Sequence, residues 1–387
     1  MKTIRLYYED AYIKEFNATV LSCDSVKNGF AVLLDKTAFF PEGGGQKSDE
    51  GFLGGIPVND VQEINGEIYH YTSEPVEPGT MVECSINWDK RFLRMQNHSG
   101  EHIVSGIVHS LFGYDNVGFH MDEGSVTVDF NGELTREQLD LVEDKANRAV
   151  YANYKINCFF PSVDELDNYD YRSKLELTEN VRLVEIENTD LCACCAPHVN
   201  FTGEVGVIKI LDFMRHRGGV RLVMKSGYDA LKDYREKYTN VCEISNLLSA
   251  KQENVADYVK RLLDETDSIK REFYQYRLSI AQRDKDSIKY SGEKSYFITD
   301  GYDADMMREI ANFGAQKSAV SLVFSGNDEN GYSYIACSLS CDMKMVARHI
   351  NTALNGRGGG RDTMIQGKVT ATKDTILEFI ETVDFKG

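Results

Sequence analysis

The sequence predicts an α+β chain of several domains. These are a β-barrel-like N-terminal domain, an α+β domain built around a histidine–cysteine cluster, a long helical hairpin or coiled coil, and a C-terminal α/β domain. Three observations lead there. Residues 1–90 are dominated by short β-branched and aromatic runs broken by turn signals. Residues 229–282 contain neither proline nor glycine and keep apolar residues close to a seven-residue spacing. The last stretch alternates strand and helix patterns, and 387 residues are too many for one compact core.

In the first domain (1–90), residues 19–23, 29–34 and 81–88 read as strands, and Asn65-Gly66 between 61–64 and 68–71 is a hairpin turn. Residues 35–51 form a loop around Phe40-Pro41-Glu42-Gly43-Gly44-Gly45-Gln46. The second domain (91–228) opens on a helix over 89–112. Asp89 is its expected cap, Phe92, Met95, His102, Val108 and Phe112 its buried stripe, and Gly113 its stop. A strand over 125–130, a helix over 135–151, and strands at 205–210 and 219–223 follow. In the third segment (229–285), Leu231, Tyr234, Tyr238, Val241, Leu248, Val255, Leu262, Ile269 and Phe273 mark the helical seam. It serves as a spacer or dimer contact, two ordinary core helices being the alternative. The last domain (286–387) reads as strands at 295–298, 320–324 and 332–339, with helices over 304–313, 343–355 and 373–383. The run Gly356 to Arg361 reads as a loop after a helix.

Composition is that of a globular chain, with no apolar run of membrane-spanning length and no signal-peptide core after Met1, so a cytoplasmic location is expected. The formal charge of −18 argues against a polyanionic partner and, alone, points to a small-molecule enzyme. Nine cysteines in a reducing compartment imply free thiols or metal ligation. Cys23, Cys84, Cys158 and Cys242 stand apart and read as small buried hydrophobes, whereas Cys192, Cys194 and Cys195 cluster.

His98 and His102 are four residues apart on the predicted helix, which turns every ~3.6 residues and so presents both imidazoles on one face. Cys194 and His198 form a second pair of the same spacing. Three nitrogens and a thiolate suit a roughly tetrahedral, borderline-soft ion, most simply one zinc per chain. Cys192 also lies in a Cys-x-Cys with Cys194, so Cys192 and Cys195 remain alternative thiolates. Glu101, beside His102, is either a water-activating carboxylate or a solvated helix charge. Gly43, Gly44 and Gly45 allow close backbone approach to a ligand or simply a tight turn. Gly358, Gly359 and Gly360 between Arg357 and Arg361 suit a phosphate, since bare amides stand beside guanidinium groups.

Three segments carry a resemblance. They are residues 35–46, ending in Gly43-Gly44-Gly45-Gln46; residues 94–102, containing Asn97-His98-Ser99-Gly100-Glu101-His102; and residues 194–206. Together with the tail around 356–367, they resemble the editing and C-terminal DHHA1 domains of alanyl-tRNA synthetase, and more closely the free-standing AlaX-type editing proteins of long form. The resemblance implies a zinc-containing editing domain followed by a DHHA1-like domain for tRNA binding or oligomerisation. It implies a trans-editing hydrolase that deacylates mischarged tRNA(Ala), chiefly Ser-tRNA(Ala), with Gly-tRNA(Ala) the second candidate. His98, His102, Cys194 and His198 match the zinc ligands, Gly43 to Gln46 and Asn97 fall in the substrate motifs, and Thr37 matches the residue that reads the serine hydroxyl. Arg357 to Arg361 become tRNA contacts, and a homodimer would form through the helical linker or the C-terminal domain. Aminoacylation and a mechanistic role for ATP are not expected, because no adenylate-forming domain precedes the match. Cys195, Ala196 and Pro197 stand where Gly-Gly-Thr is common, and Asp362 where proline is common.

Two other readings compete. His98-Ser99-Gly100-Glu101-His102 fits the inverted zinc-peptidase signature H-x-x-E-H, which has no place for the Cys194–His198 pair or the glycine loop. The other is a non-enzymatic tRNA-binding or chaperone-like module with structural zinc, which a site closed by four protein ligands would favour. A DHH-type phosphoesterase is disfavoured, since the chain contains no Asp-His-His.

Overall fold

The computed structural model describes residues 3–122, 124–173 and 181–385. They form two compact units, Met1–Glu243 and Ile244–Gly387, with the helix Gly227–Leu248 running across the division. The fold is a multidomain α+β arrangement.

In the first unit six antiparallel strands close into a barrel, in the order Glu15–Val26, Gly29–Leu34, Glu67–Thr72, Ile56–Ile64, Gly51–Leu53, Met81–Ile86. Alternation sets the faces: along Glu67–Thr72, Ile68, His70 and Thr72 point inward. Ile68 joins Val20, Val32, Leu34, Leu53 and Val61 in the barrel core. Asn65 and Gly66 both take positive φ, the conformation of the hairpin turn expected there.

The helix Trp88–Phe112 follows the barrel. Its cap is Asn87, whose side chain accepts from the Lys90 N–H; Asp89, expected to cap, lies inside the first turn. Gly113 ends the helix in the left-handed conformation, its N–H donating to His109 O. The helix does not bury a mere stripe. From Asn97 to Val108 every residue is buried, whereas Phe92 and Phe112 at its ends are only partly covered. The reason is that it packs against the helix Arg136–Ala152, the strand Asp190–Ala193 and a four-stranded antiparallel sheet. That sheet runs Ile208–His216, Gly219–Ser226, Ser125–Phe130, Asn116–Asp122. A three-stranded sheet, Ile156–Phe159, Leu183–Ile186, Asp190–Ala193, leads the chain into the cysteine cluster. The strand expected at 205–210 starts only at Ile208, because Thr202–Val205 is a 3-10 turn.

One buried ion pair locks the helix to the barrel. Arg91 is wholly buried and donates to both oxygens of Asp49, to Ala11 O at 3.0 Å and to Ala38 O at 2.5 Å. Asp49 also accepts from the Phe40 N–H at 2.7 Å, so the same carboxylate holds both ends of the loop after Thr37.

The second unit holds a six-stranded sheet ordered Lys289–Ser291, Lys294–Thr299, Val320–Asn327, Gly331–Cys337, Met364–Val369, Gly356–Arg361. The helices Ala304–Ala315, Met343–Ala353 and Lys373–Thr382 accompany it. Gly356 to Arg361, expected as a loop, is an exposed edge strand paired with Met364–Val369. Three consecutive glycines pass because the ladder bonds hold the backbone and because Gly358 lies against Gln366, Gly367 and Tyr334, where a Cβ would meet atoms at 2.4–2.6 Å. The helix Val255–Asp284 buries only Ala281, leaving Leu262, Ile269 and Phe273 more than half exposed. This helix is therefore mostly solvent-facing in the described structure. Of the four isolated cysteines expected to be buried, only Cys84 is; Cys158 is exposed, and Cys23 and Cys242 are partly covered.

Asp49→Ala should lower stability by about 3–5 kcal/mol, since it leaves a buried guanidinium without its partner. Urea unfolding followed by the fluorescence of Trp88, the sole tryptophan, measures it.

Candidate metal and active site

Two segments far apart in the chain bring four donors together. His98 and His102 project from one face of the helix Trp88–Phe112, and Cys194 and His198 come from the turn after Asp190–Ala193. One donor atom of each lies within 4.8 Å of the others. Cys194 Sγ is 3.6 Å from His98 Nε2 and 3.4 Å from His198 Nε2. A tetrahedral zinc with bonds of about 2.1 Å to nitrogen and 2.3 Å to sulfur has an N···S edge of about 3.6 Å. The donor set therefore fits zinc in kind and in spacing.

The outer ring nitrogens are also placed. His98 Nδ1 donates to Gln46 Oε1 at 2.9 Å, and His198 Nδ1 to Ser99 Oγ at 3.0 Å, both assigned so that Nε2 faces the cluster. Ser99 Oγ in addition accepts from the Val199 N–H at 3.3 Å. Burial pushes the Cys194 thiol well up; it also drives His198 well down, helped by the neighbouring His102 and His98. Left to themselves, these groups stay neutral, and a bound cation is what would make the thiolate favourable.

Glu101 is buried, which removes the solvated-charge reading. Its Oε1 accepts from Ser105 Oγ and Asn116 Nδ2, each at 2.5 Å. Its Oε2 lies 4.0 Å from His102 Nε2. Glu101, His98, His102 and Cys194 all line one cavity of about 750 Å³, and Gly44, Cys195 and Arg182 line it too.

The glycine loop is a tight turn that contributes Gly44 to the cavity lining. Gly43 and Gln46 exchange both backbone hydrogen bonds, with Gly44 and Gly45 at positive φ. A Cβ on Gly45 would sit 2.7 Å from Phe119, whose ring stacks on His98. Gln46 reaches His98, and its Nε2 has no partner among the described residues.

Of the expected substrate contacts only Gly44 lines the cavity among the described residues, and two, Thr37 and Asn97, turn to partners elsewhere. Thr37 is fully buried; its hydroxyl donates to His70 Nε2 at 2.8 Å and accepts from the Phe39 N–H at 3.1 Å. Burial pushes His70 down to about 4, so it stays a neutral acceptor. Asn97 bridges Leu93 O, Asp229 and the Ser226 N–H, tying the site helix to the neighbouring strand. Both departures have one cause: motif membership in the sequence does not say which way a side chain points. Arg357 and Arg361 lie on the edge strand of the second unit and remain exposed.

Other residues at the cluster carried no signal of spacing. Arg182 donates to Cys194 O at 3.0 Å and Ala196 O at 2.8 Å, bracing the turn that bears two of the donors. Asp190 lies 3.4 Å from His102 Nδ1. Only Ser99, between the paired histidines, stood inside a motif already singled out.

A cluster of three imidazoles and one thiol that could hold a metal ion lies in a barrel-plus-sheet unit, and an α/β unit follows it in the chain. The profile described as "tRNA synthetases class II (A)" matches residues 5–90, "Threonyl and Alanyl tRNA synthetase second additional domain" residues 181–226, and "DHHA1 domain" residues 293–384. The chain is 26% identical to the alanyl-tRNA editing protein AlaX-L of Pyrococcus horikoshii, across 97% of this chain and 96% of that protein. It is 25% identical to the alanyl-tRNA editing protein Aarsd1 of Rattus norvegicus, across 94% of each. It is 29% identical to the alanine–tRNA ligase of Ignicoccus hospitalis, across 93% of this chain but only 40% of the ligase. The chain thus resembles AlaX-type alanyl-tRNA editing proteins of long form over nearly its whole length, with both editing-type and DHHA1 domains present.

Purified protein should hold one zinc per chain by elemental analysis. Cys194→Ser and His102→Ala should abolish it, while Cys195→Ala and Cys158→Ala should leave it unchanged.

Proposed function

We propose that this chain is a zinc-dependent aminoacyl-tRNA deacylase that clears mischarged tRNA(Ala), chiefly Ser-tRNA(Ala) and also Gly-tRNA(Ala), and spares Ala-tRNA(Ala). One observation carries the reading: the four-donor cluster and the buried Glu101 carboxylate line the same cavity. The names of the full-length relatives, alanyl-tRNA editing proteins, agree with it.

Zinc held by His98, His102, Cys194 and His198 would supply a positive charge able to polarise an ester carbonyl or acidify a water. The protein's own residues do the rest. Ser105 and Asn116 occupy Glu101 Oε1 and leave Oε2 as the proton acceptor for the attacking water. As the water oxygen bonds the ester carbon, the bond to the terminal ribose oxygen breaks, and the proton passes from Glu101 to that oxygen. Gln46, whose Oε1 meets His98 Nδ1, holds that imidazole in place from the glycine loop. Thr37 acts indirectly by fixing the start of the glycine loop through Phe39 and His70. Arg357 and Arg361 contact the tRNA body, and the solvent-facing seam of Val255–Asp284 supports a homodimer contact. The domain limits 1–90, 91–228, 229–285 and 286–387 belong to the same reading. Among the described residues no helix is long and apolar enough to cross a membrane, and an editing role fits the cytoplasm.

The second reading, a non-enzymatic zinc-stabilised tRNA-binding module, is favoured by the convergence of four protein donors, since structural zinc sites are closed. The inverted peptidase reading loses ground for the same reason: Cys194 and His198, not a distant carboxylate, complete the cluster.

Deacylation of Ser-tRNA(Ala) beside Ala-tRNA(Ala) separates the readings. The wild type should be serine-selective, and Glu101→Gln should lose about 10²–10⁴-fold in rate while retaining zinc. No hydrolysis by zinc-loaded wild type would establish the binding module. Thr37→Val should leave the serine-to-alanine rate ratio unchanged and cost about 1–3 kcal/mol of stability, by urea midpoint, from the stranded His70 contact.

A further inference from the structure

Two of the three imidazoles at the cluster have a neutral hydrogen-bond partner behind them, Gln46 and Ser99. His102 differs. Behind its Nδ1 stands a carboxylate, Asp190 Oδ2 at 3.4 Å, and this buried nitrogen makes no hydrogen bond among the described residues, so the carboxylate is the acceptor nearest at hand. The Asp190 side chain is 2% exposed. Arg172 grips it in a fork, Nε to Oδ1 and Nη2 to Oδ2, both at 2.8 Å. The approach is built into the helix: Gly106, one turn beyond His102, leaves the room, for a Cβ there would lie 2.7 Å from Asp190 Cβ.

His102, Asp190 and Cys192 also lie close enough to hold an ion of their own. The fork decides against that use. Both carboxylate oxygens already accept from a guanidinium, and a cation would have to compete with that fixed positive charge at close range. Asp190 is thus shaped to accept a proton-bearing nitrogen. A carboxylate behind a ligating imidazole fixes the tautomer and the ring orientation and raises the basicity of the nitrogen that faces the metal.

We propose that Asp190, held by Arg172, is a positioning residue for the metal centre: it accepts from His102 Nδ1–H and aims Nε2 at the ion, and Cys192 is not a ligand. The inference rests on the zinc reading of the His98, His102, Cys194 and His198 cluster and adds a charged support to it.

The test is metal retention and spectroscopy on the full chain. Zinc affinity is measured by competition with a chromogenic chelator, and the cobalt(II)-substituted protein is examined by its visible absorption. Asp190→Asn should keep the fold, by far-UV circular dichroism, weaken zinc about 10- to 100-fold and shift the cobalt bands. Arg172→Gln, which leaves the carboxylate in place but loosens it, should weaken zinc less. Cys192→Ser should leave affinity and spectrum unchanged. Wild-type affinity and an unaltered cobalt spectrum in folded Asp190→Asn would overturn the proposal, as would loss of zinc in Cys192→Ser. A wild type that binds neither zinc nor cobalt would instead sink the zinc reading on which it rests.

Discussion

The site depends on one buried ion pair. Arg91 and Asp49 have no solvent to share their charge with, so each is stable only with the other in place. Arg91 belongs to the helix that carries His98 and His102, and Asp49 to the barrel side that carries Gln46. The pair therefore sets the register between two elements far apart in sequence, and the Gln46–His98 hydrogen bond follows from it. A helix merely packed on a barrel by apolar contact could slide by fractions of an ångström; a bidentate guanidinium–carboxylate contact fixes direction as well as distance.

The same logic extends around the cluster. Glutamine, serine and aspartate stand behind His98, His198 and His102, and arginines stand behind the aspartate and behind the turn bearing Cys194. Each supporting group comes from a different segment from the one it steadies or, for Ser99, from the opposite donor pair. The centre is thus a junction of the barrel loop, the long helix and the strand Asp190–Ala193. Its rigidity comes from tertiary contacts rather than from the ligand motifs. The total burial of the long helix from Asn97 to Val108 is the packing consequence of carrying a junction of this kind.

The acidic composition misleads about partners when read alone. A net charge of −18 disfavours a polyanion on average, yet Arg172 and Arg182 line the cavity, and Arg357 and Arg361 are exposed on the edge strand of the second unit. Binding is decided by local potential, and whole-chain charge sets solubility more than recognition.

Much of the site was legible in the sequence because helical and short-turn spacings translate directly into shared faces. His98 and His102 had to lie on one side of a helix, and Cys194 and His198 had to lie close together; the Asn65-Gly66 turn and the Gly113 stop follow equally local rules. What could not be read was anything set by orientation or by partners distant in the chain. Thr37 and Asn97 belong to the right motifs but turn into the barrel and towards Ser226, because buried polar atoms take the nearest partners that the packing supplies. Gly356 to Arg361 looks like a loop until Met364–Val369 offers it a ladder. Asp190 and Arg172, 18 residues apart, become supports of the centre only when the strand Asp190–Ala193 is laid against the helix at Gly106. Local spacing determined which residues could ligate; the tertiary structure decided what steadies them, because hydrogen bonds and desolvated charges depend on where separate segments meet.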